Sequence, residues 1–433
     1  MIKKILSTTS LLISLLLFFY VIYRSEIYWD GNIREKYLYH YIFTISLIFI
    51  SLTFFVLSKK VFDYITIFFL STVVSIYSFE TLLNYKKQKL QEKKHNLYFD
   101  KTAQKYDTRN IFEIYAEKKK TDKNTAVKVS PLNYINQKNL NIFPLSGISN
   151  VNTINNNNEN GYYMIYKSDR YGFNNPDSEW DNKEIEFFIV GDSFVHGMAV
   201  NRPNDISSVL REISGKNVIN VGYSGNGPLI EYASLKEYLY FNKNLRAKKI
   251  LWIYYDNDID GLTYELSSKR LRNYLKDDEY SQNLLKKQNQ IDELARSQIE
   301  IEKNKRFNKF KNFIKLYELR KLLFIPKIEV KLNIPKEFEK ILIKSKQIAE
   351  ENNAEFFFIH IPNPNIYIEN LKQNSHVEIK KLVTGLNIDY IDIGSILSEK
   401  YKDLKQFYPF KMYGHYNVNG YRKVTEEIYR IVK

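Results

Sequence analysis

Residues 187–197 read Phe-Phe-Ile-Val-Gly-Asp-Ser-Phe-Val-His-Gly, an apolar run that stops at Gly191-Asp192-Ser193. A short stretch of β-branched and aromatic residues without polar alternation is buried on both faces, the pattern of a strand inside a parallel sheet. Helices must then cover both faces, and the serine is delivered to the carboxyl edge, where open α/β sheets keep their ligands. Glycine at 191 permits a sharp turn, and a helix starting after Ser193 would aim N–H groups at whatever the hydroxyl attacks. The tripeptide alone is equally well explained by a capping serine at an ordinary strand-to-turn junction.

Later segments extend the pattern. Residues 217–221 form a second strand that runs into Gly222-Tyr-Ser-Gly225-Asn226-Gly227-Pro228, and residues 250–255 form a third that ends at Asp256-Asn257-Asp258. Residues 336–352 are helical, with Phe338, Ile341, Leu342, Ser345 and Ile348 on one face. A fourth strand follows at 356–361, closed by Pro362 and Pro364, and a fifth, at 388–391, ends at Asp392. Strands alternating with helices predict a parallel sheet between helical layers. Near the carboxyl terminus stands Tyr413-Gly414-His415-Tyr416-Asn417.

These four blocks, in this order, resemble the SGNH (GDSL) hydrolase and acyltransferase superfamily over residues 161–433. The resemblance implies a flavodoxin-like three-layer α/β/α domain with strand order 2-1-3-4-5. It implies Ser193 as nucleophile, His415 as general base, and an oxyanion hole from Ser193, Gly225 and Asn257; Asp192, His196 and Asn226 are expected to line the pocket. The chemistry asks for the same residue types. A serine hydroxyl is a weak nucleophile that needs an imidazole to take its proton. Donors fixed around the developing oxyanion lower the barrier by roughly 3 kcal/mol each. One departure matters: the superfamily's usual aspartate three residues before the histidine is here Met412. Three accounts stay open: Asp403 orients His415 from elsewhere in the segment, a backbone carbonyl does so, or the site is inactive.

The first 85 residues differ from the rest. Residues 5–23, 37–58 and 61–85 are three apolar stretches long enough to cross a hydrocarbon core of roughly 30 Å. They predict a membrane anchor. Residues 86–160, polar and rich in lysine and asparagine, read as a connector with an apolar island at 143–150, and residues 265–333 as a charged helical insertion, either a lid or an appendage. Counting lysine and arginine around the spans places the large domain in the cytoplasm. The resemblance implies instead a domain on the outer side of a bacterial cytoplasmic membrane, and that assignment is adopted.

With no cysteine, thiol chemistry is excluded. The formal charge of +15 is spread along helices among glutamates, which argues against nucleic acid and for anionic headgroups or an acidic glycan. No metal-ligand spacing occurs, and no cofactor is expected. The resulting expectation is a membrane-anchored serine esterase or O-acyltransferase acting on ester groups, acetyl first, of an envelope carbohydrate or lipid-linked glycan, with an acyl-donor-delivering membrane protein as partner if it is a transferase. The alternative is an inactive member of the fold that binds or helps assemble envelope polysaccharide.

Overall fold

The computed structural model describes residues 2–31, 34–137, 140–155, 158–304, 308–323, 334–361, 363, 374–412 and 414–433. Pro362, Pro364, Tyr413 and residues 324–333 of the expected insertion lie outside them. The chain divides into two compact units, Met1–Gln88 with Lys309–Phe324, and Lys89–Asn308 with Ile325–Lys433.

In the first unit, helices Ile2–Ile22 and Arg34–Val56 and the first half of Lys59–Thr102 are long and apolar enough to cross a membrane. Small hydroxyls hold the first two together: Ser51 Oγ lies 2.8 Å from Ser10 Oγ and 3.0 Å from Ser14 Oγ. Such bonds retain value where water is absent. The third helix does not end with its apolar stretch near residue 85 but continues to Thr102. The lysines, glutamines and glutamates that follow are strong helix formers, and no glycine or proline interrupts them.

The second unit is built on strands β4 (Glu184–Gly191), β5 (Val218–Asn220), β6 (Arg246–Tyr255), β7 (Glu355–Ile361) and β8 (Asp389–Asp392). They form one parallel sheet in the order β5-β4-β6-β7-β8. Alternate residues of each strand enter two separate cores. Phe188, Val190, Trp252 and Phe358 face helices Pro228–Leu235 and Lys336–Glu351, whereas Phe187, Ile189, Leu251 and Ile359 face Ile206–Ser214, Ile393–Lys400 and Val418–Val432. Burial on both sides explains why the strands read as continuous apolar runs.

The expected connector is more structured than its composition suggests. It contains helix Ile111–Thr121, started by a capping box between Asn110 and Glu113. It also holds β1 (Thr125–Val127) and β2 (Asn152–Ile154), which form a small sheet with β3 (Ile165–Lys167). Tyr134, Phe143 and Leu145 enter the first core. Burial of each such side chain is worth about 1.5–3 kcal/mol, which offsets the entropy lost in ordering the polar residues between them. The front of the insertion is likewise packed rather than solvated: Leu271, Tyr274, Leu284 and Ile291 are fully buried in the same core. Glu237 anchors it, accepting hydrogen bonds from Tyr274 Oη at 2.7 Å and from Leu284 N–H at 2.9 Å.

Candidate active site

Strand β4 brings Ser193 to the carboxyl edge of the sheet. The helix expected after Ser193 does not form; residues 192–199 are a series of turns, and helix begins at Ile206. Gly197 and Ala199, both at φ +77°, keep the chain out of a helical path. The serine is therefore presented by a tight turn rather than by a helix N-terminus.

Ser193 Oγ lies 2.8 Å from His415 Nε2. His415 stands just before helix Val418–Val432, whose N-cap is Asn417. Its Nδ1 is 3.2 Å and 3.3 Å from the two carboxylate oxygens of Glu159, and its backbone N–H donates to Glu159 Oε2 at 2.7 Å. A carboxylate on Nδ1 fixes the ring and favours the tautomer that leaves Nε2 free to accept the serine proton. Asp403, a sequence candidate for this place, is elsewhere. Its carboxylate accepts from Lys411 Nζ at 2.7 Å and from Lys405 N–H at 3.1 Å, capping the turn Leu404–Phe407. The Lys411 ammonium holds its pKa below the usual carboxylate range.

Glu159 is held by its surroundings. Tyr106 Oη donates to the Asn158 carbonyl at 2.5 Å, Asn158 Nδ2 to the Asp107 carbonyl at 2.6 Å, and Asp107 N–H to the Gly161 carbonyl at 2.9 Å. Gly161 has φ +88° and lies under the Tyr98 ring, where a Cβ would come within 2.4 Å of the aromatic carbons. On the other side, Asn160 Nδ2 donates to the Ala199 carbonyl at 2.7 Å, tying the loop to the serine's turn. Gly414 gives the carboxylate room, since a Cβ there would stand 2.7 Å from Glu159 Oε2. Lys94 faces the same charge: burial lowers its pKa, and Glu159 opposes that shift.

The remaining sequence candidates divide. Asp192 accepts from Phe194 N–H at 2.9 Å, and its Oδ2 lies 2.8 Å from Ser193 Oγ; burial raises its pKa against the pull of these bonds. Gly225, at φ +91°, is exposed in the loop after β5, and Asn257 is exposed directly after β6. These loops follow the two strands that flank β4. The first is drawn in by Tyr223 N–H, which donates to the Gly191 carbonyl at 3.2 Å. Glu265 fixes its far end, accepting from Gly227 N–H at 2.6 Å and Leu229 N–H at 2.9 Å; burial pushes its carboxyl up to about 7. Asn226 and His196 are both buried. The Asn226 amide has no hydrogen-bond partner among the described residues. His196 is fully buried, with Nδ1 2.7 Å from Ser224 Oγ, Nε2 2.9 Å from Tyr166 Oη and its ring stacked 4.6 Å from that of Tyr223. Burial, reinforced by Lys128, pushes its pKa well below the usual value.

Glu159, and the part that Asp256 plays, escaped sequence reasoning. Glu159 sits in the asparagine-rich run of the expected connector, and only the Asn160-Gly161 turn signal marks the place. Asp256 stands where the resembled motif has glycine. Its carboxylate is 2.7 Å from His360 Nε2 and accepts from Asn363 N–H at 2.6 Å, so it braces the ends of β6 and β7.

No family model matches the sequence, and no curated protein does. Several solved structures are similar, among them the following two. One, from Desulfitobacterium hafniense DCB-2, is described as a lipolytic protein of the G-D-S-L family; it is 15% identical, with 58% of this chain and 100% of that one covered at a TM-score of 0.33. The other is a Corynascus thermopiles (Myceliophthora fergusii) carbohydrate esterase family 2 enzyme with a carbohydrate-binding domain. It is 11% identical, with 57% and 65% covered at a TM-score of 0.30. At scores of this size neither likeness bears on the chemistry, which rests on the geometry of Ser193, His415 and Glu159.

Proposed function

We propose that the chain is a membrane-anchored serine esterase of the SGNH type, acting through an acyl-enzyme on ester groups of a carbohydrate. The observation that carries this reading is the relay Ser193 Oγ to His415 Nε2 at 2.8 Å and His415 Nδ1 to Glu159 at 3.2 Å. In it, Ser193 Oγ bonds to the ester carbon while its proton passes to Nε2 and the carbonyl electrons move onto oxygen. Glu159 stabilises the imidazolium, and N–H groups of Ser193 and Gly225 with the Asn257 amide receive the oxyanion. Collapse breaks the bond to the leaving oxygen, which takes the proton from Nε2. Water or a sugar hydroxyl then attacks the acyl-enzyme with His415 as base, and Ser193 is restored.

Carbohydrate is favoured by a cavity of about 560 Å³ lined by sequence neighbours of Glu159 and His415, Asn160 and Asn417 among them, but not by these two residues or by Ser193. It is bounded by the rings of Tyr98, Tyr162, Tyr408 and Phe410 together with Asn160 and Lys101, and Val418 is its single branched aliphatic residue. Rings mixed with amides suit a sugar face and its hydroxyls better than an acyl chain. The inactive-binder reading drew its support from Met412; a carboxylate on His415 Nδ1 removes that ground. Envelope glycans lie outside the cytoplasmic membrane, and we assign the second unit to that side.

Labelling intact membranes with a fluorophosphonate tests the chemistry: Ser193-dependent labelling, abolished in Ser193→Ala, is expected, and none would refute it. Acetate release compared with acetyl transfer to an added oligosaccharide identifies the acceptor. Protection of the second unit from protease in spheroplasts would refute the outward assignment.

A further inference from the structure

We infer that the back of the insertion, residues 308–323, lies in the bilayer interface as a second, in-plane contact with anionic lipid. This rests on the reading that the long apolar helices span a membrane. The segment forms two short helices, Asn308–Ile314 and Tyr317–Leu323, which from Lys309 onward group with the long apolar helices and not with the sheet.

They dock on the third long helix through polar contacts at defined heights. Glu80 is fully buried, and its carboxylate accepts the N–H groups of Glu318 at 3.0 Å and Leu319 at 2.7 Å, so it caps the second short helix. Tyr77 Oη donates to the Ile314 carbonyl at 2.9 Å, its ring lies 5.4 Å from that of Phe313, and Lys87 pairs with Glu318. The apolar stretch of the third helix ends at Tyr85, before Lys86 and Lys87. At 1.5 Å per residue, Glu80 lies about 7.5 Å and Tyr77 about 12 Å of helix rise inside that end. An interfacial helix buries its apolar face about 5–10 Å into the headgroup and acyl boundary. The docking height therefore coincides with the interface.

The chemistry of the segment fits the same place. Phe310 is 63% exposed, Leu323 68% and Ile314 50%, although each is large and apolar. The sequence supplies Lys309, Lys311, Lys315, Arg320 and Lys321 against the single acid Glu318. Basic residues close to an anionic leaflet are each worth about 1 kcal/mol. The arrangement also gives the Glu80 carboxyl oxygens partners at a depth where an unpaired polar group would be costly.

The cysteine-free chain makes the test clean. The full-length protein, carrying one cysteine at a time through Leu323→Cys or Phe310→Cys, is labelled with an environment-sensitive fluorophore. It is reconstituted in nanodiscs of phosphatidylcholine and phosphatidylglycerol, with and without a lipid spin-labelled near the top of its acyl chain. Both positions are expected to show blue-shifted emission and quenching at least about twofold above a Lys216→Cys control on the second unit. Phe68→Cys, on the exposed face of the third helix, reports the membrane itself. Quenching at Phe68 without quenching at Leu323 and Phe310 overturns the interfacial assignment alone; no quenching at Phe68 overturns the membrane reading and this inference with it.

Discussion

Two histidines lie close to the reacting serine in sequence or space, and each is engaged through both ring nitrogens. His196 is sealed between two hydroxyls, Ser224 and Tyr166, and stacked on Tyr223. His415 lies between a carboxylate and the Ser193 hydroxyl, with 17% of its side chain exposed. The difference lies in the partners. Hydroxyls satisfy a neutral ring and leave it nothing to gain from a proton, whereas a carboxylate on one nitrogen stabilises the charged form that base catalysis must pass through. One environment stores a buried polar group; the other is arranged as the proposed proton transfer requires.

The largest expected effect separates the two directly. His415→Ala and Ser193→Ala should each lower kcat/KM for 4-nitrophenyl acetate by about 10⁴-fold or more, measured on the full chain in detergent. Residual activity within tenfold of wild type in either would break the assignment. Next comes the carboxylate. Glu159→Gln should cost about 10²–10⁴-fold in kcat with the fold intact by circular dichroism, because the amide cannot stabilise the imidazolium. Asp403→Asn should stay within about twofold. The reverse ranking would return the acid's place to Asp403.

His196→Gln should act on stability instead. It leaves the Ser224 and Tyr166 hydroxyls imperfectly paired in a closed site, a cost of about 1–3 kcal/mol seen as a lower Tm. The smallest effect is the pH dependence of that difference. The folded pKa of His196 lies below its unfolded value, so on acidification the unfolded chain takes its proton first. Wild-type stability from this group is complete above pH 6.5 and declines below it, and the Tm advantage over His196→Gln should shrink as pH falls from 7 to 5. An advantage that grows instead would mean that His196 is protonated in the fold.

Ser193 was legible because a strand buried on both faces announces itself locally and must end at the sheet's carboxyl edge. His415 was legible because the block Tyr413-Gly414-His415-Tyr416-Asn417 resembles the superfamily's last block. Glu159 was not: its place depends on Tyr98 against Gly161 and Tyr106 against Asn158, contacts that no local period reveals. The same blindness made residues 86–160 look like a connector: the island at 143–150 that carries Phe143 and Leu145 was visible, but Tyr134 and the buried face of helix Ile111–Thr121 lie among polar neighbours whose average hides them. The turn after Ser193 was misjudged for a different reason: a helix was expected from the strand-to-helix habit of such sheets, whereas Gly197 and Ala199 take left-handed conformations that no pattern there announces.

Because Glu159 precedes Ser193 in the chain, and its loop is clamped by the tail of the third long helix, the obvious way to trim this protein would remove the carboxylate from His415. A soluble fragment begun at residue 161, where the recognisable blocks start, keeps the serine and the imidazole and loses both Glu159 and the tyrosines that hold it. It also loses Tyr134, Phe143 and Leu145 from the first core, so it is expected to be less stable and to assay as a poor enzyme. Both results would describe the scissors and not the protein.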